Sequence, residues 1–311
     1  MEKALILVTG GAGFIGSHLS EALITAGYAV RVLDDFSSGH RKNLEAILDQ
    51  DEFELIEGDV SDLTTVLAAS EGACAIYHEA ALVSVALSIQ QPPISFQSNT
   101  QGVFNVFEAA RQKNIKTVIY ASSAAVYGDN QNSPLAETEN CRPLSPYALE
   151  KCYAEQLASL YARLYGVHSV GLRYFNVYGP RQDANSPYSG VIAIFLERLQ
   201  NRQEIVIYGD GEQTRDFIYV QDVINANLKA LTLEAGAQVF NVGCQQTLTI
   251  NNLLGMLQDI SNKQALKVTY QPSKTGDIRH SCAAIHKIRR ELNWQARYSM
   301  QVGLETHIRS L

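Results

Sequence analysis

Short apolar runs alternate with longer amphipathic stretches over the first 180 residues of the chain. The runs have the length and composition of strands buried on both faces, and they lie at 4–8, 29–33, 53–60, 73–81, 117–123 and 168–180. Between them, apolar residues at helical spacing predict long helices over 95–113 and 147–166. Strands and helices alternating in this order predict an α/β fold, a doubly wound parallel sheet with helices on both faces.

After Pro180 the pattern changes to shorter, mixed elements. We expect helices at VIAIFLERLQ, DVINANLKAL and TINNLLGMLQDI, with strands at EIVIYG and VFNVG and an extended piece at KVTYQP. One more helix is expected between 277 and 294. This part predicts a smaller mixed α/β domain over the ligand crevice of the sheet, and we expect the chain to cross between the two parts more than once.

A glycine-rich turn joins the first strand to the first helix. Gly10, Gly13 and Gly16 have G-x-x-G-x-x-G spacing, and Asp34, eighteen residues after Gly16, ends the second strand beside Asp35. This arrangement predicts a dinucleotide site, because glycines let backbone N–H groups approach a pyrophosphate. The two acids would bind a ribose 2′-OH and repel a 2′-phosphate, which favours NAD over NADP.

The stretch between the fifth strand and the next helix carries candidate catalytic groups. The strand ends in Ser122 and Ser123, and Tyr147 precedes Lys151 by four residues. On a helix this spacing places the lysine above the phenol. A phenol titrates near ~10 in water, so it becomes a base at neutral pH where an ammonium and a cationic cofactor ring stabilise its anion. Either serine could offer a hydroxyl to the same substrate oxygen.

The Tyr-x-x-x-Lys spacing by itself is a weak signal. It recurs at Tyr270 and Lys274, where Pro272 argues against a continuous helix. The strand ends around Tyr147 favour a catalytic role there, because they meet at one edge of a parallel sheet. His78, at another of these ends, is expected to be a packed core histidine.

Composition and charge exclude several classes of protein. The chain has 311 residues, 46% hydrophobic, and a net charge of −7, which argues against nucleic acid or an anionic membrane as the main partner. Five scattered cysteines without a Cys-x-x-Cys motif indicate a reducing compartment, and we expect no metal site. The N-terminal apolar run is too short for a signal peptide or a membrane span, so we expect a cytoplasmic protein.

An ordered set of motifs runs along nearly the whole chain: TGGAGFIG, LDDFSSG, GDV, HEAA, SSAAVYG, YALEK, RYFNVYGP, GDGEQTRDFIYVQDV and GDIRH. This set resembles the extended short-chain dehydrogenase/reductase superfamily, and more closely its NAD-dependent epimerases of UDP-N-acetylglucosamine and UDP-glucose. The resemblance implies an NAD-binding Rossmann domain over 1–180, with later returns near 217–243, and a UDP-sugar-binding domain over 181–311.

The resemblance also implies a mechanism. Tyr147 would be the general base, Lys151 would lower its pKa and bind the nicotinamide ribose, and Ser123 would share the proton at the sugar 4-OH. Hydride would pass from C4 to NAD and return to the opposite face of a rotated 4-keto intermediate. The expected cofactor-binding residues are Gly10, Gly13, Phe14, Ile15, Gly16, Asp34, Asp35, Ser37, Ser38, Gly39, Asp59, Val60, Ala80, Ala81, Asn99, Ser122, Tyr147, Lys151 and Phe175.

The substrate site implied by the resemblance consists of Ser123, Tyr147, Asn176, Val191, Tyr208, Arg215, Lys274, Asp277 and Ser281. Asn176 and Arg215 would bind the diphosphate, Val191 and Tyr208 would border the uracil, and Asp277 would meet the ribose. Lys274 stands where relatives commonly carry an arginine. Because a lysine lacks the bidentate fork, Arg279 is an alternative phosphate ligand.

Two further positions bear on the reaction. Related dehydratases and decarboxylases carry acidic residues where this chain has Ala124 and Ala125, which favours epimerisation. Ser281 replaces a bulky tyrosine of glucose-restricted epimerases and would leave room for an N-acetyl group, unless it faces solvent.

We therefore expect UDP-GlcNAc/UDP-GalNAc, and also UDP-Glc/UDP-Gal, as substrates. The alternatives are a uronate 4-epimerase, a decarboxylase, a dehydratase or a non-catalytic NAD-binding regulator. The resemblance further implies that the outer faces of helices 95–113 and 147–166 pair two copies into a homodimer.

Overall fold

A computed structural model describes residues 3–183, 190–233, 236–273 and 278–311. Seven strands form one parallel sheet, namely β1 (Leu5–Thr9), β2 (Ala29–Asp34), β3 (Phe53–Glu57), β4 (Ala73–His78), β5 (Thr117–Ser123), β6 (His168–Tyr174) and β11 (Ala237–Val242). Their order across the sheet is β3-β2-β1-β4-β5-β6-β11. The strand order reverses between β1 and β4, and a ligand crevice is expected at such a point. The predicted α/β fold is confirmed.

Helices cover both faces of this sheet and bury a separate hydrophobic cluster on each. One face is covered by α1 (Phe14–Thr25) and α8 (Val220–Ala230). The other is covered by α2 (Leu63–Ala69), α5 (Gly102–Gln112) and α6 (Pro146–Tyr165). Among the described helices, none combines the length and the apolar character that a membrane span requires.

The remaining elements build a smaller lobe and several connections. The strands are β7 (Asn176–Tyr178), β8 (Ile205–Tyr208), β9 (Thr214–Arg215), β10 (Phe217–Tyr219), β12 (Leu248–Thr249) and β13 (Val268–Gln271), paired as β7–β10, β8–β13 and β9–β12. The helices are α3 (Val85–Gln90), α4 (Pro92–Ser95), α7 (Val191–Gln200), α9 (Ile250–Ser261), α10 (His286–Glu291) and α11 (Met300–Arg309). The sequence pattern did not predict α3, α4 or α11.

The predicted helix over 95–113 is present, but its first part is not regular α-helix. Residues Phe96–Gln101 form a π-helical turn, and the regular helix α5 begins at Gly102. Within that turn the Asn99 amide bonds both backbone groups of Leu82, at 2.8 and 3.2 Å, and donates to Glu150 at 2.6 Å. These side-chain bonds favour the wider turn, which often occurs at functional sites.

The apolar run 168–180 is two strands rather than one. β6 ends at Tyr174, and β7 leaves the large sheet to pair with β10. Phe175, at the break, stays fixed because its N–H donates to the Val242 carbonyl at 3.0 Å. The break turns the chain out of the sheet, over the carboxyl edge where the crevice lies.

Candidate active site

Local sequence signals place helix α6 beside the end of β5. Ser145 caps the helix by accepting from the Ala148 N–H at 3.2 Å, and Pro146 occupies its first position. Gly166 ends it in the left-handed conformation at φ 66°. Tyr147 is thereby held in the first turn, with Lys151 one turn later on the same face.

Three candidate catalytic groups meet at this point. The Ser123 hydroxyl lies close enough to the Tyr147 phenol to oppose the rise in the pKa of the phenol. The Lys151 ammonium donates to the Ala121 carbonyl at 2.9 Å and lies 5.7 Å from the centroid of the Tyr147 ring. Tyr147 and Lys151 are both buried. The arrangement can hold a proton at a phenolic oxygen next to a fixed positive charge.

The electrostatics of this cluster differ from the expectation. Burial raises the pKa of Tyr147 to about 12, the Ser123 hydrogen bond opposes this, and the Glu150 and Glu79 carboxylates add to it. Burial lowers the pKa of Lys151 to about 8, against the same two carboxylates. One ammonium therefore does not suffice to make the phenol a base at neutral pH.

The two serines of β5 point in opposite directions. Ser122 donates to Glu155 at 2.6 Å, about two turns further along α6 than Tyr147. Ser123 caps a short 3₁₀ turn by accepting from the Ala125 N–H at 3.1 Å and reaches the phenol. Successive side chains along a strand alternate in direction, so the two serines have different partners, and Ser123 is the one that interacts with the phenol.

The glycine turn has the shape that a dinucleotide pyrophosphate requires. Gly10 adopts φ +71°, and a Cβ there would lie 2.4 Å from the Ala80 nitrogen. A Cβ at Gly16 would lie 2.1 Å from the Gly10 carbonyl oxygen. Among the described residues no side chain caps the start of α1 at Gly13, so that end keeps backbone donors for an anion. These residues fit NAD.

Asp34 lies at the opposite rim of the same turn. Its carboxylate accepts from the Ala12 N–H at 2.8 Å and from the Phe36 N–H at 2.9 Å. Burial raises its pKa, and these two bonds oppose the shift. Gly39 is packed tightly against it, because a Cβ there would lie 2.8 Å from the carboxylate.

The other expected cofactor residues lie around this rim. Asp35 accepts from the Ser37 N–H and hydroxyl at 2.9 and 2.7 Å, and Asp59 accepts from Ser61 in the same way. Positions further along the carboxyl edge are the helix-start residues Phe14 and Ile15, the loop residues Ser38, Val60, Ala80 and Ala81, and Asn99 in its π-helical turn.

The first two residues of the HEAA stretch, His78 and Glu79, have different surroundings. His78 is buried, bonds Thr9 Oγ1 at 2.8 Å, and has a pKa lowered to about 3 by burial, as expected for a core histidine. Glu79 accepts from the Tyr174 hydroxyl at 2.8 Å, and burial raises its pKa to about 7. The sequence reasoning missed Glu79, whose signal would have been a carboxylate one residue beyond a buried strand.

The expected diphosphate ligands lie on neighbouring strands of the small lobe. Asn176 opens β7 and donates through its amide to the Asp216 carbonyl at 3.1 Å. Arg215 ends β9 and lines a cleft of about 470 Å³ together with Phe217 and Leu248. Asn176 and Arg215 come close because Asn176 on β7 pairs with Phe217 on β10, and Arg215 lies two residues before Phe217.

Asp216 is a fully buried carboxylate that the sequence reasoning missed. It accepts from three backbone N–H groups, those of Cys244 at 2.8 Å, Gln245 at 3.0 Å and Ala283 at 2.9 Å. Burial raises its pKa to about 6 against these bonds. Asp216 thereby joins its own segment to two others, one with Cys244 and Gln245 and one with Ala283. The signal in the sequence that could have found it is the acid inside the TRDF stretch.

Ser281 is 7% exposed, so it does not face solvent. Its N–H donates to the Thr214 carbonyl at 3.2 Å, beside Arg215. Val191 begins α7 and Tyr208 ends β8, further out on the same lobe.

Two of the expected substrate ligands, Lys274 and Asp277, lie outside the described residues. The alternative phosphate ligand Arg279 donates two hydrogen bonds to the Asp210 carboxylate, at 2.7 and 2.9 Å. Tyr270 lies on a strand, as Pro272 indicated, so the second Tyr-x-x-x-Lys match is not a helical pair.

Comparison with known proteins matches residues 6–243 to the NAD dependent epimerase/dehydratase family. The chain is 36% identical over 301 residues to a UDP-glucose 4-epimerase of Mycolicibacterium smegmatis, covering 96% of this chain and 95% of that protein. Similarity over nearly the full length of both chains shows that the whole architecture is shared.

Solved structures agree with this assignment. A UDP-N-acetylglucosamine 4-epimerase from Methanobrevibacter ruminantium, in complex with UDP-N-acetylmuramic acid, superposes with a TM-score of 0.94 at 38% identity, covering 100% of this chain and 98% of that one. A UDP-glucose 4-epimerase of Thermus thermophilus in complex with NAD gives a TM-score of 0.90 at 34% identity, covering 98% of each chain.

Proposed function

The chain belongs to the NAD dependent epimerase/dehydratase family, and we propose that it is an isomerase that inverts C4 of the hexose in a UDP-sugar. The observation that carries this proposal is the cluster of Ser123, Tyr147 and Lys151 at the carboxyl edge of a parallel sheet whose glycine turn fits a dinucleotide. The glycine turn and Asp34 would hold NAD, which would supply reversible hydride transfer at the sugar carbinol with no net consumption of the cofactor.

In this proposal Tyr147 exchanges the proton of the sugar 4-hydroxyl. Ser123, its hydrogen-bond partner, holds the sugar oxygen within reach of the phenol. Lys151, with a pKa of about 8, is mostly protonated at pH 7 and supplies a fixed positive charge. Because burial keeps the phenol protonated in the protein alone, the base form needs further positive charge in the crevice, and the cationic nicotinamide of the oxidised cofactor has the required sign.

The nucleotide half of the substrate is assigned to the small lobe. Asn176 and Arg215 would bind the diphosphate, which must hold the substrate while the sugar turns over. Val191 and Tyr208 would border the uracil. This division gives the large sheet the redox chemistry and the small lobe the anchoring of the substrate.

The sugar preference is proposed from Ser281. Its small side chain lies in a buried stretch, where its N–H bonds the carbonyl of Thr214, the neighbour of Arg215. A small residue at this position would leave room for the N-acetyl group at C2, so UDP-GlcNAc and UDP-GalNAc are the proposed main pair. UDP-Glc and UDP-Gal, being smaller, would also be accepted.

The experiment that tests the function is product analysis. Purified protein is incubated separately with UDP-GlcNAc, UDP-Glc and UDP-GlcA, and the mass and C4 stereochemistry of each product are determined. We expect an isomer of unchanged mass and no net NADH. Loss of water or of carbon dioxide would instead assign a dehydratase or a decarboxylase. Ala124 and Ala125 oppose that outcome, because neither can protonate a leaving hydroxyl.

A homodimer is also proposed, formed through α5 and α6. Large apolar side chains lie exposed along these helices and the π-helical turn before α5, namely Phe96, Phe104, Leu149, Leu160 and Leu164. A second copy of the same surface would cover them with two-fold symmetry. Light scattering should give twice the chain mass, and Leu160→Glu with Leu164→Glu should yield monomers, whereas Leu266→Glu, an exposed leucine elsewhere, should not.

A further inference from the structure

The side chains of Cys141 and Cys152 lie together behind the proposed active site. They are eleven residues apart in the sequence, and Arg173 bonds both the Cys141 sulfur and Glu155, which lies one helical turn after Cys152. The two thiols interact, so that the pKa of Cys141 is lowered and that of Cys152 is raised. Cys141 lies in the loop between β5 and α6 and is exposed. Cys152 directly follows Lys151 on α6 and is only 5% exposed. One member of the pair thus meets solvent, and the other backs the catalytic helix.

A buried guanidinium adjoins the exposed thiol. Arg173 Nη2 donates to Cys141 Sγ at 3.7 Å, while the same side chain holds Glu155 with two bonds of 2.8 and 2.6 Å and the Tyr127 hydroxyl at 2.8 Å. Hydrogen bonding by Cys152 and the charge of Arg173 lower the pKa of Cys141 to about 7, while burial and Glu155 oppose the shift. The thiolate form of Cys141 is therefore favoured relative to that of an ordinary cysteine.

The other cysteines have different surroundings. Cys74 is exposed like Cys141, but burial of its sulfur raises its pKa. Burial raises the pKa of Cys244 to about 12 and that of Cys282 to about 11, and the Asp216 carboxylate adds to both shifts. Among the five, an accessible sulfur with a cation and a second thiol at hand is found at Cys141, the combination typical of oxidant-sensitive cysteines.

We propose that Cys141 is a modification site for a peroxide and that Cys152 resolves the product into a disulfide within the chain. The Cys141 thiolate attacks one peroxide oxygen, the O–O bond breaks, and hydroxide leaves. The sulfur is oxidised to a sulfenic acid while the peroxide is reduced. The Cys152 sulfur then attacks the sulfenic sulfur, the S–O bond breaks, and the hydroxyl leaves as water with the thiol proton. In total, two thiols and one hydrogen peroxide give one disulfide and two waters.

Oxidation at this place should reach the active site. Cys152 is the neighbour of Lys151, so drawing its sulfur toward the loop displaces the turn that carries the ammonium. Arg173, which loses its sulfur partner, shares Glu155 with Ser122, the neighbour of Ser123. We expect activity to be lost on oxidation and to return with a thiol reductant.

The test uses the full-length wild type, Cys141→Ser and Cys152→Ser, with Cys74→Ser as the matched control. After treatment with hydrogen peroxide and digestion with trypsin, cleavage after Lys151 leaves the two cysteines on separate peptides, 117–151 and 152–163. We expect the wild type and the control to give these peptides joined by a reducible bond. Cys152→Ser should instead accumulate a sulfenic acid that dimedone traps, and Cys141→Ser should give neither product.

A rate measurement makes the inference quantitative. Iodoacetamide at pH 7 should label Cys141 about tenfold faster than Cys74, because thiolate fraction governs the rate. Equal labelling rates, or peroxide oxidation that leaves 141 and 152 unjoined, would overturn the proposal. Both measurements read peptide mass, so they stand even if the protein acts on a different sugar than we propose.

Discussion

The two walls of the crevice are built in different ways. The catalytic wall consists of β5 and α6, part of a continuous parallel sheet in which β5 pairs with β6 over seven residues. The substrate wall consists of three separate two-stranded ladders with two to four paired residues each. In the first wall, sheet register positions Ser123, and the capped first turn of α6 positions Tyr147. In the second, no sheet does this, and a buried carboxylate, Asp216, joins the segments.

This difference suits the two tasks of a 4-epimerase. Proton exchange needs one fixed geometry, and a rigid sheet and a capped helix provide it. A sugar that presents both faces needs room beside a firmly held diphosphate. Short ladders leave that room because they can be spaced apart. We therefore expect changes in the catalytic wall to affect turnover, and changes in the substrate wall to affect binding and stability.

The largest expected effect tests the catalytic wall. Tyr147→Phe should lower kcat by about 10³-fold, in the range of general acid–base catalysis, because no phenolic oxygen remains to exchange the proton. Tyr153→Phe, the same change elsewhere on α6, is the control. NAD content should be equal in both proteins. A loss no greater than that of Tyr153→Phe would show that Tyr147 is not the group that exchanges the proton.

The next effect tests the substrate wall. Asp216→Ala leaves three buried N–H groups without their acceptor, so the free energy of unfolding should fall by about 3 kcal/mol. KM for the UDP-sugar should rise more than kcat falls. Urea titration and steady-state kinetics measure both. Asp210→Ala, which removes an exposed carboxylate of the same lobe, should have a free energy of unfolding close to that of the wild type. Equal free energies of unfolding for the two variants would contradict the role assigned to Asp216.

A smaller effect is expected on how the free energy of unfolding depends on pH, through a histidine behind the substrate wall. His307 on α11 is buried, and neither ring nitrogen has a hydrogen-bond partner among the described residues. Burial lowers its pKa from 6.5 to about 4, so the unfolded chain binds the proton first as pH falls through this window. The wild type should lose about 2 kcal/mol of stability from this group between pH 7.5 and pH 5.

His307→Leu should remove this loss, and chemical unfolding at the two pH values measures it. The control is His286→Leu, an exposed histidine at the start of α10, which should keep the pH dependence of the wild type. Parallel pH profiles for His307→Leu and the wild type would exclude a buried neutral imidazole.

The smallest expected effect concerns sugar choice. Ser281→Tyr should lower kcat/KM for UDP-GlcNAc about tenfold relative to UDP-Glc, because the ring takes the volume proposed for the N-acetyl group. Ser281→Ala, which keeps the volume, should leave the ratio unchanged. If both sugar pairs are turned over equally by Ser281→Tyr, the residue has no part in specificity.

Sequence reasoning was strongest where the signal is local. The alternation of strands and helices, the glycine turn, and the spacing of Tyr147 and Lys151 on one helix depend on neighbouring residues, so a single chain reveals them. It was weaker at the π-helical turn around Asn99 and at the division of 168–180, because contacts with distant residues determine both. The roles of the site residues themselves stay predictions until the variants are measured.

From its sequence alone, this protein is an α/β chain with a dinucleotide turn and a tyrosine and lysine one helical turn apart. Backbone periodicity and the steric needs of glycine and proline determine these features within a few residues of each other. The tertiary structure decided which serine of β5 faces the phenol, that Asp216 joins three loops, and that Cys141 meets Cys152 beside Arg173. These features depend on burial and on contacts between segments far apart in the chain, which no local pattern encodes.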